Sequence, residues 1–206
     1  MICKAREVNR AASNAQWLGR WSRSIVSLCV GVIAAVAADS TVTNRIEQGR
    51  MVTQRAAGIL SSNLLAALAR GGPTNALEFC HLQAVALTEG SGQPGVQVRR
   101  VSHRPRNPAN RATTNELAVL GQFRDRLKPG AGLPPVLVTN ATGRVTFYSP
   151  IVLNTPLCLQ CHGQPGTEIG AGTQEALRRL YPKDEATGFK LGELRGLWRV
   201  DFESER

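Results

Sequence analysis

The run Cys158-Leu159-Gln160-Cys161-His162 puts two thiols and an imidazole within five residues. Three chemistries use such a set. The sulfurs can add to the two vinyl groups of one haem while the imidazole lies under the iron as proximal ligand, the c-type attachment pattern. They can form half of a tetrahedral zinc site, although no second Cys-x-x-Cys and no His-x-x-x-His exists to complete one. They can also be a redox-active dithiol. That role expects the motif at the start of a helix near a βαβ pattern, and here Gly163, Pro165 and Gly166 follow at once, which argues against a helix.

The N-terminus weighs on this choice. Basic residues up to Arg23 precede an apolar stretch from Ile25 to Ala38, which ends in Ala35-Val36-Ala37-Ala38 before Asp39. A positive segment, a short apolar segment and an Ala-x-Ala site make a secretory signal peptide, expected over residues 1–38. An uncleaved membrane anchor is the alternative, with Trp17 and Trp21 at the interface. Either way the remainder is expected in the periplasm. Cleavage would remove Cys3 and Cys29 and leave Cys80, Cys158 and Cys161, an odd number that disulfide scaffolding explains poorly in an oxidising compartment. Haem attachment takes up two of the three, so one covalently bound haem c is expected.

The elements that must position this cluster follow from periodicity. Val42, Ile46, Val52, Ala56, Ile59, Leu60, Leu64 and Leu68 recur at helical spacing up to Gly71-Gly72-Pro73 and predict a long helix over residues 39–72. A second helix begins at Pro73, with Ala76, Leu77, Cys80, Ala84 and Leu87 on one stripe, so Cys80 faces inward. Residues 96–101 alternate as a strand, and a rigid basic loop with Pro105 and Pro108 follows. Thr114 is the expected cap of a helix from Asn115 to Lys128. Residues 136–139 and 144–148 flank a polar turn and predict a β-hairpin, whose second strand runs on to Leu153 and delivers the chain to the Cys158 cluster at the sheet edge. A short helix over Thr173 to Leu180, a loop over 182–194 and a strand from Leu197 to Phe202 complete an α+β chain.

Composition sets further bounds. At 206 residues one domain is expected. The formal charge of +10 suggests nucleic acid, but five basic residues and one acidic residue lie in the first 37, leaving +6 to the rest. No stripe of basic residues interleaved with stacking aromatics is present, so nucleic acid is not an expected partner. No nucleophile with a nearby base and no paired-carboxylate motif is visible, and an enzyme is not expected. The motif lies late, and the only Met beyond the start is Met51, far upstream, which argues against a His/Met-ligated small cytochrome.

Beyond the haem motif, several segments resemble the PAS-like c-type haem-binding domains, a family of exported stand-alone haem proteins and sensor halves of bacterial membrane histidine kinases. They are Gly72-Pro73 through Ala76 to Cys80, Arg100-x-Ser102 with Arg106-Asn107-Pro108-x-Asn110, and Pro150-Ile151-Val152 leading to Cys158 through Gly163. Tyr181-Pro182-x-Asp184-x-Ala186-Thr187-Gly188-Phe189 and Gly192-Glu193-Leu194-Arg195-Gly196 close the set. Phe189, Glu193 and His103 depart from it mildly. The resemblance implies a PAS-like antiparallel sheet behind a long N-terminal helix, with the haem domain over residues 73–206. It also implies a haem ligated by His162 and Cys80. From the residues alone, Cys80 reads first as a small core side chain, and His81 and His103 are rival ligands. Arg100, Arg104 and Arg106 are candidate partners of haem propionates or members of a solvated basic loop. Asp184, Thr187 and Arg195 read as turn and capping residues.

These readings converge on an exported haem protein that senses redox state or a diatomic gas and passes the change to a periplasmic redox or signalling partner. A periplasmic electron carrier is the second reading, and a zinc-binding structural module the third.

Overall fold

The structure is a computed structural model that describes residues 22–128 and 132–203, with side chains from residue 41 onward. The expected signal peptide therefore lies largely outside the described residues. The described residues divide into two compact units between Thr41 and Val42. Among the described residues no helix is long and apolar enough to cross a membrane.

Helix α1 is Ser22–Glu89, and it is broken where the sequence predicts. Gly71 and Gly72 leave helical geometry at φ −161° and +68°, the latter in the left-handed region that favours glycine. Pro73 then opens the second segment, where its missing N–H costs nothing. Asn75 Nδ2 spans the break and donates to the Ala67 carbonyl at 2.8 Å, satisfying an acceptor that the break orphans.

The remaining elements are β1 (Val96–Val101), a 3-10 turn (Pro108–Asn110), α2 (Thr114–Arg126), β2 (Val136–Thr139), β3 (Val145–Val152), α3 (Pro156–His162), α4 (Ala171–Leu180) and β4 (Leu194–Phe202). The four strands form one antiparallel sheet in the order β1-β4-β3-β2. With the long N-terminal helix this is the α+β architecture expected. The last strand lies inside the sheet, so the sheet closes only when the C-terminus arrives.

Side-chain alternation gives the sheet two buried faces. On one, Val52 and Ala56 of α1 pack with Val96, Val98, Phe147, Val200 and Phe202. The other face takes Val119, Leu120 and Phe123 of α2 against Val101, Tyr148 and Leu197. The segment of α1 before the break thus shares a core with the sheet. Contact there is close: a Cβ on Gly49 would lie 2.4 Å from the Phe147 ring.

Three local expectations need correction. The cap of α2 is Thr113, not Thr114, because only Thr113 places a glutamate at the third helical position. Its hydroxyl accepts from the Glu116 N–H at 3.4 Å, and the Glu116 carboxylate accepts from the Thr113 N–H at 2.7 Å. Strand β4 starts at Leu194 rather than Leu197, since Gly196 breaks the alternation in the sequence; a Cβ there would meet the Val101 carbonyl at 2.5 Å. Finally, the Cys158 cluster is helical. Pro156 sits in the first turn of α3, where proline is favoured, and the helix ends on Gly163 before Pro165 can interfere. The motif leaves β3, an inner strand, but β2 pairs β3 only as far as Tyr148, so the end of β3 is open on that side as an edge would be.

Candidate cofactor-binding cavity

Helical geometry turns the Cys158 cluster into a face. Residues three and four apart on a helix lie side by side, so Cys158, Cys161 and His162 share one side of α3. Leu159 takes the opposite side and packs with Leu153, Ala186 and Phe189. The loop from Tyr181 to Phe189 grips α3 from below. The Phe189 N–H donates to the His162 carbonyl at 2.9 Å, and the Gly188 N–H to the Gly163 carbonyl at 2.7 Å.

Opposite α3, the segments of α1 on both sides of the break and the first face of the sheet enclose a cavity of about 700 Å³. Cys80 lines it from α1, Arg100 from β1, Arg106 from the following loop, and Cys158, Cys161 and His162 from α3. These six of the residues singled out in the sequence therefore face one space. That volume falls within the range of cofactor sites.

His162 is held as a neutral ligand would be. Its Nδ1 lies 2.8 Å from the Ala186 carbonyl, which can only accept, so Nδ1 carries the proton and Nε2 keeps its lone pair. Burial, with the Arg106 and Arg195 guanidiniums adding to it, holds the imidazole well below its usual range. The thiols are shifted the other way. Burial pushes Cys161 up to about 11 and raises Cys80 as well, with Arg100 and Arg106 pulling Cys80 partly back.

The cavity wall is strongly cationic. Arg106 pairs with Asp184 at 3.2 Å and donates to the Cys161 and Ala186 carbonyls, tying the loop, α3 and the His162 hydrogen-bond acceptor together. Asp184 also accepts from the Ala186 N–H at 2.8 Å, the turn role expected of it. Arg100 reaches only the Ala84 carbonyl, at 3.3 Å, and its Nε is buried without a partner. Arg195 lines the same cavity, which its reading as a turn residue missed. It donates to Ser102 at 2.7 Å and to the Arg104 carbonyl at 3.0 Å, while its Nε is likewise orphaned. Burial and the neighbouring Arg106 and Arg100 push its guanidinium down to about 9. The signal was available in the sequence, as an arginine three residues before Trp198 in a strand read as starting too late.

The rivals fall elsewhere. His81 is exposed, its ring edge-on to Tyr181 at 5.1 Å. His103 and Arg104 line a different cavity on the other face of the sheet, and Arg104 stacks over Phe189 at 4.1 Å. Among the described residues no three His, Cys, Asp or Glu side chains gather closely enough to hold a bare metal ion.

No curated protein matches the chain. Among solved structures, the crystal structure of the cyanobacterial haem protein Tll0287 is similar at 23% sequence identity and a TM-score of 0.48, covering 82% of this chain and 97% of that one. The Tll0287-like family model matches residues 32–202, which takes in the whole sheet, both segments of α1 around the break and every residue lining the cavity. By that extent of match, the chain belongs to the Tll0287-like family.

Proposed function

We propose that the chain is an exported c-type haem protein that senses redox state or a small diatomic gas. One observation carries the haem reading: Cys80, Cys158, Cys161 and His162 are spread around a single cavity instead of converging on a point. That spacing suits a large flat group and not a bare ion. It is a poor fit to the zinc alternative, which needs four close ligands. The family to which the chain belongs is named for Tll0287, a cyanobacterial haem protein.

The donors fit the group. Cys158 and Cys161 would form the two thioethers, and His162, fixed in its Nδ1-protonated form, would ligate through Nε2. Cys80 lines the same cavity from α1 and would be a second ligand to the iron; a metal would remove the proton that burial otherwise keeps on its sulfur. Arg100 and Arg195 each bring a buried cation with an orphaned Nε, and the propionates would supply the missing acceptors and charge. When bound, haem supplies an iron that exchanges one electron and, at a free axial position, takes a diatomic ligand.

The sensor reading rests on how the two ligands are mounted. His162 is clamped through the Ala186 carbonyl, Arg106 and Asp184. Cys80 stands on a helical segment joined to the rest of α1 through the Gly71-Gly72 break and the Asn75–Ala67 hydrogen bond that spans it. Release of the Cys80 sulfur would free that segment while His162 stays in place, and a signalling partner could read the change. An electron carrier would keep both ligands in both states.

Haem attachment is tested on the protein recovered from cells that attach haem c. After denaturation in acidic organic solvent and electrophoresis, haem stain should remain on the wild-type band. It should vanish in Cys158→Ala/Cys161→Ala. A wild-type band without stain would sink the covalent reading.

A further inference from the structure

On the face of the sheet opposite the first cavity lies a second one of about 950 Å³. Leu117, Leu120, Leu127, Leu133, Leu191 and Leu194 give it an apolar wall. Leu117 and Leu191 remain about half exposed, at 47% and 48%. Space is built into α2 itself: a Cβ placed on Gly121 would meet nothing within 4 Å.

The polar part of this lining is lopsided. It holds Arg104, Arg124, Lys128 and His103 against one carboxylate, Glu193, whose Oε2 is already taken by the Lys190 N–H at 3.0 Å. Among the described residues neither Arg124 nor Lys128 has an ion-pair partner. Arg104 is held by the Glu185 and Thr187 carbonyls and by the Phe189 ring, all uncharged. His103 Nδ1 is buried and has no hydrogen-bond partner. Burial, then Arg104, Arg195 and Arg124, keep this imidazole below its usual range, and Glu193 offsets them only in part. With Nδ1 as its protonated nitrogen the ring offers a buried donor without an acceptor, and the cations around it outnumber the one carboxylate, so the site is short of an anion.

We propose that this second cavity binds an organic carboxylate with an apolar body, its head among His103, Arg104 and Arg124 and its chain along the leucines over Gly121. Neutral apolar molecules would leave the cations and His103 unanswered. Inorganic anions would leave the leucine wall wet. The inference is independent of what fills the first cavity, although Pro150, Val152 and Asn154 line both.

Calorimetric titration of the full chain, carrying whatever cofactor it holds, provides the test. Octanoate is the probe and 1-octanol the neutral comparator. Octanoate should saturate one site and bind at least tenfold more tightly than the alcohol. Arg124→Gln, on the exposed side of α2, should weaken octanoate several-fold and leave 1-octanol unchanged. Gly121→Phe should remove binding of both with the far-ultraviolet circular dichroism retained; should that variant fail to fold, the Arg124→Gln comparison decides. Equal binding of acid and alcohol, octanoate affinity unaffected by Arg124→Gln, or absence of binding would each overturn the proposal.

Discussion

At the scale of single residues, the least expected feature is how much of the apparatus around His162 is backbone. Its tautomer is set by the Ala186 carbonyl, and that carbonyl also accepts from Arg106, which Asp184 holds. A side chain fixed this way is difficult to displace, so under the proposed haem ligation any change at the iron should fall on Cys80. Cys80→Ala in the haem-loaded protein is expected to convert a low-spin ferric spectrum to high-spin, or to admit added imidazole at the open position. The reduction potential should rise, because a thiolate stabilises ferric iron. Absorption and electron paramagnetic resonance spectra check this, and an unchanged spectrum would remove Cys80 from the iron.

The elements have their own weak points, neither of which touches the cavity. Gly49 allows α1 to press on the Phe147 ring, with no room for a methyl group. Gly49→Ala should therefore destabilise the fold by about 1–3 kcal/mol, through displacement of that ring, despite alanine's better helix propensity. Denaturant melts of both proteins measure it. On the other face, Glu116 is 1% exposed and receives Arg99 at 2.8 Å and Arg199 at 2.6 Å. Burial alone would raise its carboxyl, but the Thr113 N–H and hydroxyl and the two arginines outweigh it and hold the group below the usual carboxylate range. A depressed folded-state value contributes stability above the unfolded value, about 4.3, and that contribution is lost as pH falls through the folded one. Glu116→Gln should cost about 2–3 kcal/mol near neutrality. Its melting-temperature deficit should shrink between about pH 5 and pH 3, which thermal melts across that window would show. A deficit constant with pH would mean that the side chain acts through shape alone.

For the molecule as a whole, the question is whether events at the first cavity reach α1. The segment carrying Cys80 packs through Leu77 against Ile169, Ala176, Leu177 and Tyr181, a cluster separate from the one that holds Val52 and Ala56 to the sheet. Two clusters joined across the Gly71-Gly72 break can move apart without melting either core. Amide exchange over residues 73–88 should therefore quicken in the ferrous or carbon monoxide-treated protein relative to the ferric one, while residues 96–101 and 194–202 stay protected. Identical protection in all states, with no carbon monoxide bound, would favour the electron carrier.

What could be read from the chain alone was local or periodic. The Cys158 to His162 spacing, the stripe bearing Cys80, the glycine break and the hairpin all depend on neighbours within a few turns, where residue type and spacing decide the outcome. Long-range contact decided the rest. Gly163 and Pro165 end α3 where they stand, and the loop from Tyr181 to Phe189 then takes up its end carbonyls, a contact that no local pattern announces. Gly196 looks like a loop residue until the Val101 carbonyl, almost a hundred positions earlier, is seen to leave no room for a side chain. Arg195 joined Arg100 at the cavity, although it lies two positions from Leu197 on the other face, because the β3–β4 register shifts beside it between Ile151 and Val152; His103, just past the end of β1, fell to the second cavity. Only the closing of β4 between β1 and β3 set that register.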